Sequence, residues 1–163
     1  MTMHRLAALS DLDAIYAIYM DDSVIPFLGV DSMPKDAFFS VLKSLIDGGN
    51  FYVVQDQEQI QGFYRISRQA GRARHVAYLG TFAIAPRAQG TGLAASIVGH
   101  VIDTLKAEGV LRMELMLEAD NPRAFRFYRK LGFEHEGTLR AAYKRADQQH
   151  YVDELLMAKL LLP

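Results

Sequence analysis

Residues 80–92 read Gly-Thr-Phe-Ala-Ile-Ala-Pro-Arg-Ala-Gln-Gly-Thr-Gly. An apolar strand pattern stops at Pro86, a glycine-rich turn follows, and a helical pattern opens at Gly92 and runs to about Glu108. A strand, a loop with free N–H groups and a helix N-terminus together form an anion site, so a phosphate-bearing guest is expected. Arg87, Gly90 and Gly92 fit Arg-x-x-Gly-x-Gly. Glycines at 90 and 92 let backbone approach a ligand closely, and the N–H groups of residues 90–94 would point at it. The stretch is neither the dinucleotide fingerprint nor a triphosphate loop, because it lacks Gly-x-Gly-x-x-Gly and Gly-Lys-Ser/Thr. A group that carries phosphate without phosphoryl chemistry fits better. On this stretch alone, a plain tight turn with a solvated Arg87 fits as well.

Outward from that stretch, the pattern is β α α β β β α β α β β. Residues 2–8 form a first strand. Ser10 with Asp13 resembles a capping box for a helix that carries Leu12, Ile15, Tyr16 and Tyr19. Residues 22–31 form a loop. Ser32 is expected to cap the next helix and Pro34 to sit in its first turn, with Gly48-Gly49 at its end. Strands over 51–55 and 60–67 flank a four-residue hairpin loop, Asp56–Gln59. A long strand covers 75–84. Leu93, Ala94, Ile97, Val98, Val101, Ile102 and Leu105 make one stripe on the following helix. A strand over 110–118 precedes a short helix with Asn121 as cap and Pro122 at its first position. Strands from Phe133 to about Tyr143 and over 151–160 finish the chain. Helices beside a mixed sheet make an α/β, or α+β layered, fold.

The chain has 163 residues, a length that suits a single domain over 1–163, and half of them are hydrophobic. A formal charge of −1 gives no steering toward nucleic acid or anionic lipid. The absence of cysteine excludes disulfides, a thiolate nucleophile and cysteine-based metal sites. No apolar run is long enough to span a bilayer and none has signal-peptide form. The expectation is a cytoplasmic protein without metal, nucleic-acid or membrane partners, for which a homodimer is compatible.

Residues 121–133 read Asn-Pro-Arg-Ala-Phe-Arg-Phe-Tyr-Arg-Lys-Leu-Gly-Phe. With 80–98 they resemble the two signatures of the GCN5-related N-acetyltransferases, matching at Asn121, Ala124, Tyr128, Gly132 and Phe133. Glu136–Arg140 and Tyr151–Glu154 resemble the bacterial branch that acetylates amino acids or protein N-termini. The resemblance implies the acyl-CoA N-acyltransferase fold, with a mostly antiparallel central sheet split by a bulge where strands end near Ile84 and Glu118. It implies acetyl-CoA as cosubstrate. Phe82, Ala83 and Ile84 would meet the pantetheine arm, and Arg87, Gln89, Gly90, Thr91, Gly92, Leu93 and Ala94 the pyrophosphate. Asn121 and Ala124 would stand beside the coenzyme, and Tyr128 near its sulfur.

Amine acetylation needs a deprotonated amine, a polarised thioester carbonyl and a stabilised thiolate. Tyr128, with an ordinary pKa of about 10, can donate to the sulfur as a general acid. It can equally be a core aromatic of its helix. Glu114 and Glu118 share a strand face opposite Met113, Leu115 and Leu117, and either can serve as base; a solvated or arginine-paired Glu114 is the plainer reading. Tyr78, His75 and His150 are further candidates. The resemblance makes the 22–31 loop one wall of the acceptor site, so Ile25, Phe27 and Leu28, with Tyr78, are the expected acceptor contacts. The same three loop residues suit a core plug. Arg65, Arg68, Arg72 and Arg74 form a basic turn that can meet a carboxylate or a 3′-phosphate, or simply face solvent. The expected reaction is acetyl transfer to the primary amine of an amino-acid-like molecule or peptide N-terminus, by direct attack in a ternary complex. The alternatives are a coenzyme-binding module without turnover, and a polyamine or aminoglycoside acetyltransferase.

Overall fold

A computed structural model describes residues 1–163. The strands are β1 (Thr2–Leu6), β2 (Phe51–Asp56), β3 (Gln59–Arg68), β4 (Val76–Ile84), β5 (Arg112–Glu118), β6 (Glu134–Tyr143) and β7 (Val152–Leu160). The helices are α1 (Leu12–Tyr19), α2 (Lys35–Asp47), α3 (Leu93–Ala107) and α4 (Pro122–Lys130). The sheet order is β1-β2-β3-β4-β5-β7-β6. It is a mixed sheet: β1–β2, β2–β3, β5–β7 and β6–β7 pair antiparallel, and β4 runs parallel to β5. The chain divides into two compact units, Met1–Ile66 with Thr81–Ile97, and Ser67–Gly80 with Val98–Pro163.

The first unit is built on aromatic packing. Tyr19 of α1 stacks on Phe63 of β3 at 5.4 Å and tilts against Phe38 of α2 at 4.9 Å. Ile15, Leu42, Phe51 and Val53 complete this buried cluster. The N-terminal cap differs from the sequence expectation. Asp11, rather than Asp13, closes it: its Oδ2 accepts the Ala8 N–H at 2.8 Å, and both carboxylate oxygens accept from Arg5. Asp13 instead pairs with Lys35 at 2.8 Å. Pro34, rather than Ser32, stands at the N-cap of α2, since its fixed φ already suits the entry. The β2–β3 hairpin turns on two residues rather than four. Gln57 and Glu58 take φ of 47° and 68°, the left-handed pair that matches strand twist. Gly62 lets β3 and β4 approach closely, because a Cβ there would lie 2.7 Å from the Ala83 carbonyl oxygen.

In the second unit, β5 pairs with β7 along its whole length, Arg112↔Leu160 to Glu118↔Glu154. β7 thus lies between β5 and β6, although β6 precedes it in sequence. Met113, Leu115, Phe133 and Met157 are fully or almost fully buried. The parallel ladder is short: Val76, Ala77 and Tyr78 pair with Arg112, Met113 and Glu114, and it stops there. Beyond Tyr78 the backbone of β4 departs from regular strand geometry, with Thr81 at φ 47°. A β-branched residue in that region is a genuine outlier.

Candidate active site

The first unit carries the anion-binding candidate. After Ile84, Ala85 donates its N–H to the Gln61 carbonyl at 2.7 Å, which ties the strand end to β3. Pro86–Ala88 then make one 3-10 turn. Gly90 and Gly92 have φ of 76° and 85°, which explains why glycine stands at both. A Cβ at either position would meet no atom within 4 Å beyond its chain neighbours, so the space beside both glycines is open. Thr91 Oγ1 donates to the Ala88 carbonyl at 2.6 Å and Gln89 Nε2 to the Ile84 carbonyl at 3.4 Å, so both side chains brace the loop. The first N–H groups of α3, beginning at Leu93 and Ala94, lack helical acceptors and face the region of positive helix potential. Ala83 is buried, while Phe82 and Ile84 are half-buried. Arg87 is exposed and donates from Nη2 to the Ile60 carbonyl, so its side chain holds the hairpin rather than standing free.

The second unit gathers the acid–base candidates. Asn121 caps α4 by accepting the Ala124 N–H at 3.2 Å, with Pro122 in the first turn. That cap fixes the helix that carries Tyr128. The tyrosine ring makes edge contacts with Phe127 at 5.0 Å and Phe133 at 5.5 Å and is buried. Burial, with Tyr78 and Glu118 nearby, pushes its hydroxyl pKa well above the ordinary tyrosine value. Tyr128 therefore holds its proton at neutral pH.

Glu118 and Glu114 separate sharply. Glu114 accepts from Arg112 Nε at 3.0 Å, and Arg112 also forks onto Glu136 at 3.0 and 2.8 Å. Glu118 is buried, and its pKa is pushed up to about 7, first by burial and further by Glu154 and Asp120, against the pull of Arg145. A carboxyl poised near neutrality suits a general base. Arg145 is itself buried and forks onto Asp120 at 2.6 and 3.1 Å. Neither Arg145 nor Glu154 was expected at the site. Their role depends on strand register, which no residue pattern discloses.

Of the expected acceptor contacts, Leu28 lies in the first unit's core and Ile25 packs against it, whereas Phe27 is exposed. Tyr78 is half-buried at the end of the parallel ladder. Beside this loop is a cavity of about 510 Å³, reached by Gly29 and Val30 rather than by those three side chains. No group of three or more His, Asp or Glu side chains is placed to hold a metal ion. No helix is long and apolar enough to cross a membrane.

Residues 12–133 match the Acetyltransferase (GNAT) family. Over 100 residues the chain is 35% identical to mycothiol acetyltransferase of Renibacterium salmoninarum, covering 56% of this chain and 30% of that protein. Over 82 residues it is 37% identical to the [ribosomal protein bS18]-alanine N-acetyltransferase of Salmonella typhimurium, covering 50% of this chain and 54% of that protein. The matches thus span between 16% and 54% of the length of the curated relatives. A crystal structure of a probable GNAT-family acetyltransferase from Chromobacterium violaceum shares the fold, with TM-score 0.84 at 23% identity over 98% of this chain and 87% of that one. The chain belongs to the GNAT acetyltransferase family.

Proposed function

We propose that the protein transfers the acetyl group of acetyl-CoA to the primary amine of an amino-acid-like molecule or a peptide N-terminus. Family membership supports acetyl transfer from acetyl-CoA. The observation that carries the catalytic reading is the second unit's pairing of a buried, protonated Tyr128 with a Glu118 whose pKa is pushed up to about 7. One group is set to give a proton at neutral pH and the other to take one.

In this reading the open loop at Gly90 and Gly92 cradles the pyrophosphate, and the backbone at Phe82–Ile84 meets the pantetheine arm. The amine nitrogen attacks the thioester carbonyl carbon, and the C–S bond breaks. Glu118 takes the proton the amine loses, directly or through water. Tyr128 gives its proton to the departing thiolate. Holding amine and thioester together supplies much of the remaining acceleration. Glu114, held by Arg112, takes no part in the proton transfer in this reading.

One relative's name speaks of mycothiol and the other's of an alanine of ribosomal protein bS18, and an amino-acid-like or peptide acceptor is in keeping with the second. The test is thiol release from acetyl-CoA across amino acids, peptides, polyamines and aminoglycosides. Turnover with the first two classes supports the reading. A tenfold preference for spermidine or kanamycin over methionine and phenylalanine, about 1.4 kcal/mol in transition-state binding, overturns the acceptor assignment. Coenzyme binding without turnover on any amine leaves a non-catalytic module.

A further inference from the structure

Arg65 is the one place where a buried side-chain nitrogen lacks a hydrogen-bond partner: its Nε is buried and bonded to nothing in the protein. None of the protein's salt bridges includes Arg65. Residues two apart on a strand share a face, so Arg65 projects on the side where Phe63 stacks on Tyr19, beneath the helices. Tyr64, on the opposite face, stacks on Tyr52. The residue as a whole is only half-buried, so the rest of its guanidinium fork is available to an acceptor.

The same arginine lines the cavity of about 510 Å³ in the first unit. Tyr19, Val30, Val41 and Leu45 give that cavity apolar walls, and Thr81 is also among its lining residues. Thr81 is the strand outlier, at φ 47°. Strained backbone of this kind collects at ligand sites, where the surrounding structure enforces it. Two independent features, an arginine without an ion pair and a strained β-branched residue, therefore converge on one cavity with mixed walls.

We infer that this cavity binds the acceptor's carboxylate, with Arg65 as its reader and the apolar walls taking an adjoining side chain. The acceptor class is then a free α-amino acid, or a close analogue bearing a carboxylate, rather than a peptide N-terminus, whose corresponding carbonyl is an uncharged amide. The inference rests on the acetyl-transfer reading for its biological sense and on Arg65 for its chemistry. Arg65 is a specificity residue here and takes no part in bond making.

The test compares L-methionine with L-methioninamide as acceptors for wild type, R65Q and R65K. The two amines differ in basicity, so the decisive quantity is the change in their kcat/KM ratio between variants. Because a charge-assisted hydrogen bond is lost, the carboxylate preference should fall by about tenfold or more in R65Q. The loss should appear chiefly in KM for the acid. R65K, which keeps charge but loses the fork, should fall between. An equal ratio in wild type and R65Q overturns the inference.

Two further arms separate other outcomes. Affinity for coenzyme A and for 3′-dephospho-coenzyme A is measured in the same variants. A loss in R65Q confined to the phosphorylated form reassigns Arg65 to the 3′-phosphate and overturns the carboxylate site. If no amine is acetylated, titration of N-acetyl-L-methionine against its amide still decides: carboxylate-selective binding lost in R65Q sustains the site while the transfer reading fails, and equal binding ends the site.

Discussion

Glu118 of β5 stands directly opposite Glu154 of β7 across the antiparallel ladder. Like charges in that relation repel, and both side chains are at least partly buried. Burial raises the pKa of Glu154, and burial together with Glu154 and Asp120 raises that of Glu118 to about 7. As a base, Glu118 works in its ionised form, so kcat/KM should rise with pH through about 7. E118Q should abolish that limb and lower kcat by about 10²–10⁴-fold, leaving any higher limb set by the acceptor amine itself. E154Q should shift the limb to lower pH, because it removes one neighbour that opposes ionisation. A pH–rate profile unchanged near 7 in E118Q removes Glu118 from the base role.

The same shift has a stability consequence with the opposite sense. Because folding raises the Glu118 pKa, the native state holds more protons than the unfolded chain between about 4 and 7. Stability from this group is therefore greatest at low pH and falls as pH rises through 7. E118Q should stabilise the fold at pH 8, by the order of 2 kcal/mol, and change little at pH 4.5. Denaturant midpoints at the two pH values give the answer. Equal effects at both would place the carboxyl in a more solvated setting.

What could be read from residues alone was local chemistry. The stripe Leu93 to Leu105 gave α3, and Asn121-Pro122 gave the start of α4, because caps and apolar periodicity act over a few residues. Gly90 and Gly92 announced their left-handed backbone by identity. Thr81 did not, since nothing about threonine signals φ 47°. Gln57 and Glu58 likewise hide a two-residue turn that asparagine or glycine would have advertised. Glu118 was legible as an acid in an apolar strand, but its opposition to Glu154 is a matter of register. The insertion of β7 between β5 and β6 sets that register. Arg65 reads as part of a basic turn although the expected strand over 60–67 already contains it; alternation along β3 puts it on the Phe63 face.

Gly90 offers a test of the phosphate loop that separates strain from ligand contact. Gly90 and Gly49 have similar left-handed φ, 76° and 69°, and a Cβ at either meets no protein atom within 4 Å. G90A and G49A should therefore lose similar stability, about 1 kcal/mol each. Only G90A places a methyl group where the pyrophosphate is proposed to lie. Calorimetry should show coenzyme A affinity reduced by tenfold or more in G90A and unchanged in G49A. Equal affinities in both variants remove the loop from coenzyme binding.

Asp11 ties β1 to the segment that leads into α1 through one carboxylate. It accepts twice from Arg5 of β1, at 2.8 and 2.9 Å, and once from Ala8 N–H. The Arg5 bond and the backbone bond hold its pKa below the usual range against the opposing effect of burial. A depressed carboxylate contributes stability above its unfolded pKa of about 4 and loses it as pH falls through the lower folded value. D11N should destabilise by about 1–3 kcal/mol at pH 7, since Arg5 loses its charged partner. The difference from wild type should shrink toward pH 2–3. Chemical denaturation across that range measures it, and a constant difference would mean that packing, not charge, carries the effect.

Tyr128 decides whether the second unit supplies the acid. Its ring is fixed by Phe127 and Phe133, and Gly132, at φ 89°, turns the chain so that the Phe133 N–H bonds the Tyr128 carbonyl at 3.0 Å. Lys159 Nζ donates to the Leu131 carbonyl at 2.6 Å and satisfies the end of the same helix. These contacts involve the ring and the backbone, so Y128F keeps the packing and removes only the hydroxyl. A thiolate leaving without a proton donor slows the step in which the C–S bond breaks. Y128F should lower kcat by about 10²–10⁴-fold with coenzyme affinity nearly unchanged. The hydroxyl pKa is raised by burial, so wild-type activity should show no loss from tyrosine ionisation through the neutral range. A better leaving group tests the role independently. An acetyl thioester whose thiol is markedly more acidic than coenzyme A needs less protonation, so Y128F should recover part of the lost rate on it, while wild type gains little. If Y128F and wild type turn over acetyl-CoA with equal kcat, Tyr128 is a packing residue and the thiolate takes its proton from water.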